Sequence, residues 1–172
     1  HDLYDEPGSA VYHDVAGRDT HEIREILAAL RQHPGDVLDL AAGSGRLTFP
    51  VLATGRRVTA LELSAGMLAI LADRLSAAPA AVRDRCSVVR GDMTDFAVDR
   101  RFGVVLLGTT SISLLDGDGR RALYERVRRH LDPSGVFLVS TVDVRPGSGE
   151  ASPTRFEVTG SSGRRYRLFE HH

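Results

Sequence analysis

The chain has 172 residues, 42% hydrophobic and 26% charged, which is enough for one α/β domain and too few for two. Its 22 basic and 23 acidic side chains leave a formal net charge of -1, with no general pull toward nucleic acid or an anionic membrane. A single cysteine, Cys86, excludes an intrachain disulfide and a cysteine-rich metal site.

Residues 1–19 are polar, carry Tyr4 and Tyr12, and show no strong period; they read as a lid or a short irregular helix. Asp19 with Glu22 three residues on has the form of a capping box. Ile23, Ile26, Leu27 and Leu30 then make one apolar helical stripe that must stop near Pro34-Gly35. Asp36 to Leu40 is the first strand, and Ala41 to Gly45 a turn of small residues. A helix over 46–53 follows. Pro50 fits its interior badly, so the helix either starts later or bends there.

Residues 57–62 form a second strand, and Ser64 caps a helix carrying Met67, Leu68, Leu71 and Leu75. Residues 86–90 are a third strand, in which Cys86 reads as a small hydrophobe rather than a reactive thiol. Residues 102–107 are nearly continuous apolar apart from Gly103, as a central parallel strand requires. Asp116 or Asp118 starts a helix with Leu123, Val127 and Leu131 inward, and Arg121, Arg126, Arg128, Arg129 and His130 at the surface. Residues 136–140 are the fifth strand. After a Pro/Gly/Ser-rich link, residues 154–158 and 165–169 alternate and form an antiparallel hairpin. The alternation of strands and crossovers predicts a doubly wound α/β fold with a mostly parallel sheet and a C-terminal antiparallel hairpin. The division expected is a lid over 1–19, a cofactor-binding core over 20–141 and a hairpin over 142–172. No apolar run reaches 18 residues and no secretory signal leads the chain, so a cytoplasmic protein is expected.

Chemistry concentrates at the strand ends. Gly43 and Gly45 allow a tight strand-to-helix turn that a ligand can approach closely. Glu62 ends the second strand 19 residues after Gly43, placed to accept hydrogen bonds from ribose hydroxyls. Asp92 ends the third strand, where it can either accept from an adenine amino group or cap a turn, and Met93 offers an apolar contact to the ring. A dinucleotide favours a third small residue, where this chain has Thr48. Asp39 suits the ammonium of an amino-acid tail, directly or through water, and can equally brace the turn. These features favour S-adenosylmethionine over a dinucleotide. A Tyr-x-x-x-Lys pair is also missing, since Tyr124 is followed by Arg128.

Asp39-Leu40-Ala41-Ala42-Gly43-Ser44-Gly45 resembles motif I of class I S-adenosylmethionine-dependent methyltransferases, with Ala41 where glycine is usual. Leu61-Glu62-Leu63-Ser64 with Met67, and Gly91-Asp92-Met93, resemble the two following motifs. Leu107-Gly108-Thr109-Thr110 stands where such enzymes line donor and substrate. The resemblance spans roughly 20–140 and implies a Rossmann-like fold and a donor site built from Tyr4, Asp39, Ala41, Gly43, Ser44, Gly45, Glu62, Leu63, Met67, Asp92, Met93, Leu107 and Gly108. The family sheet usually has seven strands, so the hairpin either supplies its last two in altered form or covers the sheet. Tyr12 to Glu22, with Leu106 to Leu115, resembles actinobacterial N-methyltransferases of glycopeptides and ribosomal peptides, which implies a peptide amine as acceptor and a place in natural-product biosynthesis.

An amine needs only its lone pair in line with the donor methyl, so a base has little to do beyond taking the released proton. Tyr12 and His13 are the catalytic candidates. Thr109, Thr110 and Ser111 are the candidates for holding substrate, and Tyr166 and His171 for walling the acceptor pocket. No His/carboxylate spacing suggests a metal, and no basic or aromatic stripe suggests a nucleic-acid partner. Two other readings stand beside this one: O- or C-methylation of a small secondary metabolite, and a non-catalytic partner protein that binds S-adenosylmethionine.

Overall fold

A computed structural model describes residues 6–16, 21–141 and 154–170. Five strands make the main sheet: β1 (Val37–Leu40), β2 (Val58–Glu62), β3 (Cys86–Arg90), β4 (Phe102–Leu107) and β5 (Leu131–Val139). Their order is β3-β2-β1-β4-β5, with every pairing parallel. The order reverses between β1 and β4, which places the switch point of a doubly wound sheet at the glycine turn after β1.

Strand alternation divides the core in two. Val37, Val58, Val104 and Leu106 face α2 (His21–Gln32), α3 (Thr48–Ala53) and α4 (Ala65–Ala77), meeting Ile26, Leu30, Val51, Leu52 and Leu71. Leu38, Leu40, Leu61, Val105 and Leu107 face the opposite layer, with Phe96 and with Leu123 and Val127 of α6 (Gly117–His130). By parity Asp39 shares the face of Val37, which turns its carboxylate toward α3.

Several expectations are corrected by the packing. The first helix, α1 (Glu6–Ala16), is a regular 11-residue helix rather than an irregular one. The helix after the glycine turn starts at Thr48, so Pro50 falls in its first turn, where a missing N–H costs no intrahelical bond. A short helix, α5 (Ala80–Arg83), precedes β3, whereas the crossover from β3 to β4 has none. Asp116 caps α6, accepting from Gly119 N at 2.8 Å. Leu131 is not on that helix but opens β5, which begins five residues earlier than its apolar run suggests.

His130 is buried rather than exposed. Its Nε2 accepts from Val98 N at 3.1 Å, and its ring lies 4.6 Å from that of Phe96. Its Nδ1 therefore carries the proton and donates to Arg126 O at 2.7 Å. Arg126 does not point free into solvent but pairs with Asp95, so α6 holds down the helix-free crossover twice. Among the described residues no helix is long and apolar enough to cross a membrane.

The hairpin strands β6 (Thr154–Thr159) and β7 (Arg165–Glu170) pair with each other and form a separate two-stranded sheet. They do not extend the main one. Their loop closes on α1: Asp14 accepts from Ser161 Oγ at 2.6 Å, Ser162 N at 2.6 Å, Tyr166 OH at 2.8 Å, and Ser162 Oγ. These donors, that of Ser161 foremost, hold the Asp14 carboxyl well below the usual carboxylate range. Gly160 leaves the room for this, since a Cβ there would lie 2.1 Å from Asp14 Oδ2.

Candidate active site

At the carboxyl ends of β1, β2 and β4 the glycine turn separates two cavities that meet at Ala41. The first, about 490 Å³, is lined by Glu62, Leu63, Ser64, Asp92, Met93 and Leu115 among others. The second, about 450 Å³, is lined by His13, Gly43, Ser44, Arg46, Arg74 and Thr109 among others.

The turn is built by backbone constraint. Ala41 has φ 51, Gly43 φ 57 and Gly45 φ 86, three left-handed residues within five positions. Alanine tolerates this region at a cost of about 1–2 kcal/mol, so Ala41 carries strain where the related motif has glycine. The two glycines serve different ends. A Cβ on Gly45 would lie 2.6 Å from Leu71 Cδ1 and 3.0 Å from Phe49, so Gly45 lets the turn pack on its helices. A Cβ on Gly43 would meet nothing within 4 Å, so Gly43 leaves an approach open to the main chain.

Glu62 is buried at the end of β2. Its Oε2 accepts from Gly43 N at 2.8 Å and its Oε1 from Ser64 N at 2.7 Å. An ionised carboxylate has about four acceptor positions, so two remain for ligand hydroxyls. Leu63 is 58% exposed at the cavity rim. Met67 lies buried under α4's start, its N–H donating to Ser64 Oγ at 3.2 Å. Asp92 accepts through Oδ1 from both Thr94 N and Thr94 Oγ1 at 2.7 Å, so it braces a turn while lining the cavity.

Asp39 is fully buried and outside both cavity linings; its Oδ2 accepts from Thr48 Oγ1 at 2.6 Å. Burial pushes its carboxyl up from an ordinary 3.8 to about 7, against the Thr48 bond and the charge of Arg46. Because the folded value is the higher one, stability is lost as pH rises from 3.8 toward 7 and stays level above. Asp39→Asn keeps an acceptor for Thr48 and has no charge to bury. Its stability advantage over the wild type should grow across that window, read as a larger gap in urea midpoints at pH 8 than at pH 5. An equal gap at both would mean that Asp39 titrates normally.

On the other side of the turn, His13 Nδ1 lies 2.7 Å from Ser44 Oγ, joining α1 to the glycine turn. Partial burial, and next the nearby Arg74, push its imidazole below the ordinary value. Arg74 donates to Ser44 O at 2.5 Å and stacks over Phe49 at 4.2 Å. Leu107 is buried in β4, and Gly108, Thr109 and Thr110 follow it. Thr109 and Ser111 line the second cavity. Thr109 and Thr110 are both left-handed at φ 57. Tyr166 is in neither cavity lining, and its hydroxyl donates to Asp14. The side chain of Tyr12, and Tyr4 and His171 entirely, lie outside the described residues.

Four contributors are not among the residues the sequence singles out for the site: Glu22, Arg46, Arg74 and Asp14. Glu22 reads as a helix cap. Its carboxylate instead crosses to Thr109 N at 2.6 Å and to Arg46. Cys86 packs partly buried against the core, and burial pushes its thiol up to about 11, which makes it inert near neutrality.

A parallel sheet of this order, with a glycine turn and a ribose-ready carboxylate at its switch point, defines a Rossmann-like nucleoside-binding domain. A family model described as a methyltransferase domain matches residues 37–135. The chain belongs to that family, the class I S-adenosylmethionine-dependent methyltransferases, and is related to its natural-product N-methyltransferases.

The structure of the glycopeptide N-methyltransferase MtfA complexed with sinefungin aligns with a TM-score of 0.70 and 48% identity, over 89% of this chain and 66% of that one. The dTDP-3-amino-3,6-dideoxy-alpha-D-glucopyranose N,N-dimethyltransferase of Streptomyces fradiae is 36% identical over 143 residues, which is 80% of this chain and 51% of that protein. The cypemycin N-terminal methyltransferase of a Streptomyces species is 30% identical over 130 residues, 74% of this chain and 46% of that protein. The chain thus spans about half the length of the two Streptomyces relatives.

Proposed function

We propose that this chain carries the donor site of an N-methyltransferase that uses S-adenosylmethionine to methylate an amine of a peptide or peptide-derived natural product. The observation that carries the donor half is the open approach at Gly43 beside the Glu62 carboxylate, with room on both sides of the turn. Glu62 would take the ribose hydroxyls, Asp92 and Met93 would face the adenine, and the amino-acid tail would run past Gly43 into the second cavity. Bound there, S-adenosylmethionine supplies a methyl group already activated by its sulfonium. The chain's own work is then to orient the acceptor, exclude water and receive a proton. His13, whose imidazole partial burial and next Arg74 push below its ordinary value, is the candidate on this wall to take the proton that the new ammonium sheds. His13 on α1, with Thr109 and Ser111 of the same cavity, would face the acceptor, and Tyr12 and Thr110 are the further candidates for holding it. In this reading residues 20–141 are the donor-binding core, 1–19 the lid and 142–172 the cover.

The amine is supported by the kinship with three N-methyltransferases of distinct acceptors. An amino group on a nucleotide-linked sugar is the second reading, favoured by the 36% identity to the Streptomyces fradiae enzyme.

Calorimetric titration with S-adenosylhomocysteine, with NADH for comparison, tests the donor site. Saturable one-to-one binding of S-adenosylhomocysteine alone is expected. Gly43→Ala should cost only about 1 kcal/mol of stability, the left-handed penalty, while weakening that binding about 10-fold or more, because its Cβ enters the ligand's path. Selective NADH binding would overturn the methyltransferase reading, and undiminished binding by Gly43→Ala would move the donor away from the turn.

A further inference from the structure

We infer that Glu22 is a positioning residue, which shapes the second cavity by holding the strained loop after β4 and the Arg46 guanidinium in one arrangement. Glu22 is not part of that cavity's lining, so it acts through residues that are. Its Oε1 accepts from Thr109 N at 2.6 Å, its Oε2 pairs with Arg46, and Ser140 at the end of β5 also bonds to it. Arg46 closes the triangle by donating to Thr109 Oγ1 at 2.6 Å. One carboxylate therefore joins α2, the glycine turn, the β4 loop and the β5 end. Burial opposes its ionisation, but the bonds from Thr109, Arg46 and Ser140 outweigh burial and hold the carboxyl below its ordinary value.

The loop it holds is not one the sequence would adopt unaided. Thr109 and Thr110 are β-branched and both sit at φ 57, a region such residues rarely occupy without outside constraint. Gly108 adds a second sign of close fit: a Cβ there would lie 2.1 Å from Leu47 Cδ1 and 2.9 Å from Glu22 Oε1. With the side chains of Arg46 and Glu22 only 13% and 11% exposed, the pair is shielded from the solvent that weakens surface ion pairs. Thr109 and Arg46 both line the second cavity, so the shape of its wall and the place of one of its two lining guanidiniums depend on Glu22.

The inference rests on the donor reading above, and a two-ligand test separates them. Adenosine fills only the first cavity, whereas S-adenosylhomocysteine also sends its amino-acid tail into the second. Glu22→Gln keeps an acceptor for Thr109 but turns an amide donor toward Arg46. It should leave adenosine affinity within about 2-fold while weakening S-adenosylhomocysteine about 10-fold, and should speed hydrogen exchange at the Thr109 amide. Equal losses for both ligands would make Glu22 a general structural residue and overturn the inference, as would no loss for either with slow exchange at Thr109 intact. If wild-type chain binds neither ligand, the donor reading itself fails. Should Glu22→Gln not fold, Ser140→Ala, which removes one donor to Glu22, carries the same test with an expected split of about 3-fold; an even loss or none overturns the inference.

Discussion

Glu62→Ala is expected to weaken S-adenosylhomocysteine binding at least about 100-fold. A hydrogen bond to a charged group is worth about 1.5–3 kcal/mol, and the ribose offers two hydroxyls to this carboxylate. The substitution also strips the acceptor from Gly43 N and Ser64 N, which lie 2.8 and 2.7 Å from its oxygens. Part of the loss would therefore come from a loosened turn. Glu62→Gln separates the two contributions, because its single amide oxygen still satisfies one N–H but has little left for a ribose. It should bind S-adenosylhomocysteine more weakly than the wild type and more tightly than Glu62→Ala, with a thermal midpoint between the two, because one of the two turn N–H groups loses its acceptor. Full affinity in Glu62→Ala would place the ribose elsewhere and remove the main support for the donor site.

Gly103→Ala is expected to be the most destabilising small substitution in the sheet, about 3 kcal/mol by urea unfolding. A Cβ there would stand 2.1 Å from Pro34 O and 3.0 Å from Gly35 Cα. Both are backbone atoms of the bend between α2 and β1, so no rotamer change relieves the contact. Overpacking of this kind ordinarily costs about 1–3 kcal/mol, and rigid neighbours put this site at the top of that range. The same position carries a register shift between β4 and β5, at Phe102 and Val104. Wild-type stability in Gly103→Ala would mean that the bend shifts freely.

Which parts of this were legible follows the range of the interaction involved. Strand positions, the Ser64 and Asp116 caps and the glycine turn depend on neighbours within a few residues, and periodicity or turn chemistry reports them. Glu62 was legible because a strand end fixes a side chain relative to the turn beside it. Glu22 was not, because its spacing from Asp19 reads as a local capping pattern, whereas its carboxylate bonds to Thr109, 87 residues away. His130 looks like a surface residue among arginines until Val98, 32 residues earlier in the chain, turns its amide toward it. Asp14 stands inside the Tyr12 to Glu22 stretch with no role of its own to read; its partners arrive from a hairpin whose own pattern announces only that it is a hairpin.

The Asp14 clamp also bears on how the molecule reaches this state. Its bonds to Ser161, Ser162 and Tyr166 join residues 147 to 152 positions apart, near the largest separations the described chain allows. Closing so long a loop loses much chain entropy before any contact returns it, and such contacts form late. Helix α1, made before the sheet it packs on, is thus among the last of the described elements to find its seat. The sheet and its glycine turn can assemble first, and α1 and the β6–β7 hairpin then dock on each other through Asp14.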